Sequence, residues 1–162
     1  MALTLQQLLD DLPQTGRVEW IGLRPAQKQP MLEVDSVEGC PEKALHGDRY
    51  SGRSRKRQIT LIQSEHLVAI ASYLGIPSVQ PAQLRRNILV SGLNLLALKD
   101  KEFQVGSIRA RFTGLCHPCS AMQAEFGPGG YNAVRGHGGI TAEILAPGKI
   151  SLYDKIRVTP SS

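Results

Sequence analysis

Apolar residues recur along this chain in two rhythms, and the rhythm of two dominates. Helical spacing is confined to a few short stretches. Leu5, Leu8, Leu9 and Leu12 recur at three and four. Thr4 stands three residues before Gln7, as in a capping box, and Pro13 and Gly16 stop the pattern. Residues 4–12 therefore read as a short terminal helix docked on the core. The strongest helical pattern is 64–74, where Leu67, Ile70, Ala71 and Leu74 form one stripe, Ser64 offers a cap and Gly75 an end. His66 falls off that stripe and is expected to face solvent. Residues 81–86 read as a helical turn. Residues 120–126 read as a helix with Met122 and Phe126 on one face, opening just after Pro118, a residue tolerated at a helix start.

Elsewhere short apolar runs alternate between turn residues. Strands are expected at 18–23, 31–38, 58–62, 88–90, 103–105, 108–113, 141–145 and 155–158. In the second run Leu32, Val34 and then Val37 make an interrupted alternation. A hairpin-like loop spans 24–30, a long loop 39–57, and a glycine-dense segment 127–139. Many short strands with few helices predict a mainly β chain: a small β-barrel with a few short peripheral helices.

Composition narrows the class. At 162 residues the chain is long enough for one real core, and 41% hydrophobic with 20% charged residues is ordinary for a globular domain. No apolar run approaches the roughly 18 residues of a membrane span, and the N-terminus lacks the basic patch and apolar core of a secretory signal. Three cysteines are an odd count that does not suggest a disulfide framework. A cytoplasmic protein with free or metal-bound thiols and no membrane partner is expected. The net charge is +5, and six basic residues fall between Lys43 and Arg57, opposed there by Asp48 alone. Such a run attracts nucleic acid, phosphate or an anionic cofactor, or is a solvated loop. With 5% aromatic residues, binding of nucleic acid by base stacking has little support.

Reactive chemistry concentrates in Cys116-His117-Pro118-Cys119. As a redox pair this Cys-x-x-Cys needs a βαβ context that the flanking pattern does not show. As a zinc half-site it needs two more ligands, and Cys40 with His46 or His117 offers no second close pair. Cys119 would lie near a helix N-terminus, where the dipole favours a thiolate; a buried, inert cysteine is the plainer alternative. Arg85-Arg86-Asn87 offers two guanidiniums suited to oxyanions, or a surface turn with salt bridges. The segment 127–139, with Arg135 and His137, lets main-chain N–H groups approach an anion, or is a connector; it matches neither a Walker A nor a dinucleotide fingerprint. No Ser-His-Asp order and no His-Glu-x-x-His occurs, leaving His46 and His137 as acid–base candidates.

These pieces follow one another in a recognisable order. Gly47-Asp48-Arg49-Tyr50, Arg57-Gln58-Ile59-Thr60-Leu61-Ile62, Arg85-Arg86-Asn87-Ile88, Phe103-Gln104-Val105-Gly106, Pro118-Cys119, and Gly138-Gly139-Ile140-Thr141-Ala142 with Gly148-Lys149-Ile150 together resemble the MOSC domain family. Its members occur at the C-terminus of molybdenum cofactor sulfurases and as stand-alone bacterial proteins, and this chain resembles the latter. The resemblance covers residues 17–158, with 1–16 as an N-terminal helical extension and 159–162 as a tail. It implies a mostly β barrel that binds a molybdenum-pterin cofactor, handles sulfur through one cysteine, or both. The family's cysteine follows proline, which singles out Cys119 as metal ligand or persulfide carrier; a soft thiolate suits a high-valent metal held by a dithiolene. Cys116 falls outside that pattern, as a resolving thiol or a mere neighbour.

On the family-like segments, charge assigns Arg49, Arg86 and Arg135 to the cofactor's phosphate, with Gly136, Gly138 and Gly139 letting the backbone close in. Asn87 is expected to bond the pterin ring or an oxo group, and His46 or His137 to relay protons. Some members reduce N-hydroxylated compounds through the cysteine-bound metal. Here no cysteine set for a [2Fe–2S] cluster and no aminotransferase-like sulfurase domain is found. A separate electron donor, or a cysteine desulfurase, is the implied partner. The competing readings are a sulfur carrier holding a persulfide on Cys119 and a basic nucleic-acid-binding module.

Overall fold

A computed structural model describes residues 2–50 and 54–160; residues 51–53 of the basic run, Arg53 among them, and the last two residues of the tail lie outside the described residues. Helix α1 (Leu5–Asp10) precedes β1 (Gly16–Leu23), β2 (Leu32–Val34), β3 (Ser36–Cys40), β4 (Ala44–Leu45) and β5 (Ile59–Gln63). Helices α2 (Ser64–Leu74) and α3 (Pro81–Leu84) lead to β6 (Ile88–Ser91), and a 3₁₀ turn (Leu95–Leu98) to β7 (Glu102–Val105) and β8 (Ile108–Leu115). Helices α4 (Ser120–Phe126) and α5 (Gly130–Val134) precede β9 (Ile140–Ala146), β10 (Gly148–Ser151) and β11 (Lys155–Val158). Among the described residues no helix is long and apolar enough to cross a membrane.

The expected mainly β architecture is present, and the sheet closes on itself. Seven strands run in the order β11-β7-β8-β9-β5-β6-β1, and β1 returns to β11 through Gly16↔Ile156 and Arg17↔Lys155. Gly16 is required at that seam: a Cβ there would lie 2.8 Å from the Ser91 carbonyl oxygen and 2.9 Å from the Ile156 side chain. Strand β2 extends the sheet outside β1, and β10-β3-β4 form a small second sheet.

Among the described residues one pairing is parallel, β5 with β6. A parallel neighbour needs a long crossover, and α2 and α3 supply it. This explains why every residue of β5 is buried. Ile59 and Leu61 point into the barrel core with Val18, Ile88, Phe103, Ile108 and Ile140, while Ile62 turns to the outer face. There it meets Leu67, Ile70 and Ala71 of α2, Leu84 of α3, Met122 of α4 and Val134 of α5 in a second core. Strands exposed on one face keep the alternation, as in Phe103 and Val105 of β7.

Four expectations need correction. The terminal helix forms, with both capping-box bonds of Thr4 and Gln7, but it is not docked: Leu5, Leu8 and Leu9 remain 71%, 55% and 53% exposed, and Leu12 alone of that stripe packs on the core. Local capping builds this turn without tertiary burial. The run 31–38 is two strands, because the chain changes sheets at Asp35; β2 pairs with β1, and β3 with β10 and β4. The interrupted alternation records that switch. Helix α2 is preceded by Gln63 at the cap position, and Ser64 is already helical. The segments 39–57 and 127–139 are not wholly irregular, since they hold β4 and α5.

A buried polar network ties these parts together. The Asp48 side chain is fully buried, and its carboxylate accepts from the Arg24 main-chain N–H (2.8 Å), Arg24 Nε (3.2 Å) and Nη2 (2.9 Å), and the Tyr50 N–H (3.3 Å). Asn87 Nδ2 also donates to Asp48, at 3.1 Å, and to the Gly22 carbonyl, at 3.1 Å. Asn87 Oδ1 accepts from the N–H and hydroxyl of Thr60, both at 3.1 Å. Burial pushes the Asp48 carboxyl upward, but the Arg24 bonds and charge, with the Tyr50 N–H, outweigh it and hold the group below the ordinary carboxylate range. A carboxyl depressed on folding stabilises the fold above its unfolded-state value, and that contribution is lost as pH falls through the lower folded value. Arg24→Met strands the carboxylate in the core and is expected to cost about 3–5 kcal/mol, read from urea unfolding at neutral pH. Repeated at falling pH, the gap between wild type and variant should close as Asp48 protonates.

Candidate functional site

Strands β8 and β9 are antiparallel neighbours, with Leu115 opposite Ile140. Everything between them is therefore an excursion that leaves and re-enters the barrel at one place. Pairing continues just past β8, where the Cys116 N–H donates to the Gly139 carbonyl at 2.8 Å. The two ends of the excursion, Cys116–Cys119 and 135–139, thus meet. Gly138 lies against this junction, and a Cβ on it would collide with the Cys116 carbonyl oxygen. Gly139, at φ +92°, would collide with the Leu61 carbonyl in the same way. Glycine is needed at both positions for close approach.

Arg86 reaches this junction from the turn between α3 and β6. It is 8% exposed, and its Nε donates to the Gly138 carbonyl at 2.7 Å and its Nη1 to the Leu84 carbonyl at 2.6 Å. Nη2 donates to no acceptor among the described residues, and no described carboxylate forms an ion pair with this guanidinium. Burial pushes Arg86 below its ordinary pKa; the charges of Arg57 and Arg24 push the same way, and the sulfurs of Cys116 and Cys119 oppose them. Arg57 is exposed, with Nη2 3.9 Å from Cys116 Sγ. The backbone just before it is anchored by the Thr113 hydroxyl, which donates to the Lys56 carbonyl and also bonds the Thr141 hydroxyl, at 2.9 Å.

The two cysteines differ. Cys116 is 3% exposed, whereas Cys119 is exposed at the cap of α4 with no side-chain capping bond. Both are free thiols. Among the described residues no group of three or more histidine, cysteine or acidic side chains could hold a metal ion, so a structural zinc centre has no ligand set.

The other expected site residues are placed as follows. Asn87 lies next to Arg86, but its amide is spent on Gly22, Asp48 and Thr60, leaving nothing to offer a ligand. Arg49 is exposed, with its N–H on the Arg24 carbonyl at 2.7 Å. Arg85, in a left-handed conformation after α3, braces the loop after β1 through the carbonyls of Ala26 and Gln29. Burial lowers its pKa, and the charges of Arg24 and Arg49 lower it further, against Asp48. Arg24 thus links two groups of guanidiniums, acting on Arg85 with Arg49 and on Arg86 with Arg57, and Asp48 opposes it at Arg85.

Arg135 is exposed and meets Asn132 of its own helix, 3.4 Å away, with no contact to Arg86. His137 packs on α2: its ring is 4.9 Å from His66 and 5.5 Å from Tyr73, and its Nδ1 is buried without a partner. His66, expected to face solvent, is half-buried; burial and then the His137 charge lower its pKa, against Glu65. A cavity of about 30 Å³, the size of one water, is lined by Gln63, His66, Cys116, His117 and Gly136 among others. A larger depression of about 590 Å³ is lined by Gln104, Ser107, Lys149, Tyr153 and Arg157 and holds none of the expected site residues.

Sequence reasoning missed Arg24, Arg57 and His66. For Arg57 a signal was present, since it heads the quoted Arg57–Ile62 segment; Arg24 and His66 are recruited by packing alone. Gly138→Ala should force Cys116 and Gly138 apart and cost about 1–3 kcal/mol in urea unfolding, as overpacking does.

The comparisons agree with this architecture. A family model described as MOSC domain matches residues 42–157. No curated protein sequence matches. Among solved structures, the YuaD protein from Bacillus subtilis superposes with a TM-score of 0.79 at 20% identity, over 93% of this chain and 100% of its own. YiiM from Geobacillus stearothermophilus gives 0.72 at 15% identity, over 90% of this chain and 75% of its own. YiiM from Escherichia coli gives 0.68 at 18%, over 90% and 71%. At these identities the likeness is one of fold.

Proposed function

This chain belongs to the MOSC domain family, and on that premise we propose that it binds a molybdenum-pterin cofactor through the Cys119 thiolate and takes part in reducing N-hydroxylated compounds, with electrons from a separate protein. The observation that carries this reading is Arg86. A buried guanidinium without a carboxylate is costly, and such a group is retained where an anionic ligand brings the missing charge. Arg86 offers Nη2 at the junction where both cysteines lie, and Arg57 adds a second fork beside it. A dithiolene and a phosphate are anionic, and an exposed thiolate is a soft metal ligand, so the residues present fit the group.

When bound, the group would supply the redox centre. The chain's own residues do the rest. Cys119 provides the metal-binding sulfur, Arg86, Arg57 and Arg49 hold negative charge, and the missing Cβ atoms of Gly138 and Gly139 keep the junction closed. Proton handling is assigned to His137, whose Nδ1 is buried without a partner and whose neighbour His66 lines the cavity that Cys116 also lines. Arg135 keeps a role only if it turns from Asn132 to the phosphate. Asn87 acts by fixing the backbone beside Arg86.

The test is metal and pterin content of protein purified from a cofactor-producing host. Wild type is expected near one-to-one, and Cys119→Ser should lose the metal. Arg86→Met should weaken retention by about tenfold or more, the value of a lost charge-assisted hydrogen bond. Metal-free wild type that binds nothing on addition of the cofactor overturns the reading.

One observation favours the sulfur-carrier alternative: Cys119 is exposed and free, open to a partner's persulfide. That reading expects a gain of about 32 Da on Cys119, one sulfur atom, after incubation with a cysteine desulfurase and cysteine. Peptide mass mapping that finds no adduct on Cys119 removes it.

A further inference from the structure

We propose that Cys40 is a second reactive thiol, activated by His46 and Glu38, whose chemistry is exchange with small disulfides. The hairpin β3–β4 assembles the three residues. Glu38 and Cys40 lie at alternate positions of β3, with Val37 and Gly39 buried between and beside them. The return of the chain pairs Gly39 with Leu45 and Cys40 with Ala44, and the His46 N–H donates to the Glu38 carbonyl at 2.8 Å. Cys40 Sγ then lies 3.6 Å from His46 Nε2, and His46 Nδ1 lies 4.0 Å from Glu38 Oε2. This is the order of a nucleophile, its base and a carboxylate within ion-pair distance of the base.

The hairpin is a firm mount for such a group. Leu45 is fully buried, Gln58 Nε2 donates to the Pro41 carbonyl at 2.7 Å, and the Asp48 N–H donates to the Leu45 carbonyl at 3.1 Å. The cluster itself faces solvent: the Glu38 side chain is 70% and that of His46 46% exposed, and Cys40 is a half-buried free thiol. It belongs to the β10-β3-β4 sheet, whereas the Arg86 junction lies where β8 and β9 of the barrel end.

The exchange balances without any further reagent. The Cys40 thiol proton passes to His46 Nε2, and the thiolate attacks one sulfur of the incoming disulfide. A Cys40–S bond forms as the original S–S bond breaks. The departing sulfur, now reduced, takes the proton from His46, and Cys40 is left oxidised as a mixed disulfide. A free thiol reverses the step. Glu38 acts through His46 and is a positioning residue.

Full-length protein incubated with glutathione disulfide, quenched with acid and mapped by peptide mass spectrometry gives a separate rate for each cysteine. Cys40 in the folded protein should form the mixed disulfide faster than Cys40 in urea-unfolded chain. His46→Asn should slow it by about threefold to tenfold or more, as the Cys40 thiolate fraction falls, with the Cys119 rate unchanged. In urea the two proteins should react alike. Glu38→Gln, which keeps the shape and removes the charge, should slow Cys40 in the same direction and serves if His46→Asn fails to fold. The proposal is overturned if folded Cys40 reacts no faster than unfolded, or if the folded variants fall by less than about threefold. A urea-persistent difference overturns it too. Since these rates are read on Cys40 and cofactor retention on Cys119, either proposal can fail without the other.

Discussion

The buried carboxylate of Asp48 is the constraint on which the site depends. It sits in a loop far along the chain from its partners, yet it gathers Arg24 from the end of β1 and Asn87 from the entrance to β6, and Asn87 in turn fastens Thr60 of β5. Those are three neighbouring strands of the barrel wall, including the parallel pair. A carboxylate with no access to water must keep all its partners or the fold is penalised by several kcal/mol. The network therefore fixes the backbone at Asn87, and with it the residue before. Arg85, Arg86 and Asn87 are consecutive and take three directions: one to the loop after β1, one to the cysteine junction, one into the wall.

Charge is distributed unevenly around this point. The charges of Arg24 and Arg49 act on Arg85, those of Arg57 and Arg24 act on Arg86, and Asp48 is already committed to Arg24. Arg49, Arg57 and Arg85 reach solvent, where repulsion is screened. Arg86 is nearly buried, at 8% exposed, and its hydrogen bonds go to main-chain oxygens, which carry no net charge. A chain selected for stability alone would place an apolar side chain there. Retention of the cation at a junction built from glycines is the physical basis for reading it as an anion site.

Most of the barrel was legible in the sequence because period-two alternation survives wherever one strand face meets the core and the other meets water. The reading failed at 31–38, which changes sheets midway and so shows no clean alternation over its length, whereas β5, with cores on both sides, lacks the alternation too but was still expected as a strand at 58–62. In 127–139 Gly129 at φ +86° and Gly136 at φ +79° stand on either side of a single short helix, which composition alone reads as loop. The site was legible as segments and illegible as contacts. Arg86, Gly138 and the Cys116–Cys119 stretch were each visible by residue type. That Asn87 would be consumed by the wall, that Arg135 would stay on its own helix, and that His66 would turn toward His137 are matters of packing, which no local pattern encodes.

The Cys-x-x-Cys shows how much position outweighs motif. In sequence its two thiols are equivalent. In the fold, pairing to Gly139 carries Cys116 inward for one residue beyond β8, and Pro118 then turns the chain so that Cys119 opens α4 at the surface. The inner sulfur lies against Arg57 and within reach of Arg86's charge; the outer one meets solvent. Besides the two carbonyls it bonds, these two sulfurs favour the charged form of Arg86, and one of them is free to bind something else. Whatever occupies Cys119 must therefore be felt at Arg86. A ligand that brings negative charge strengthens the coupling, and a neutral cap on the sulfur weakens it. The asymmetry of the two cysteines and the burial of the arginine are in this sense one arrangement, set by where β8 stops pairing.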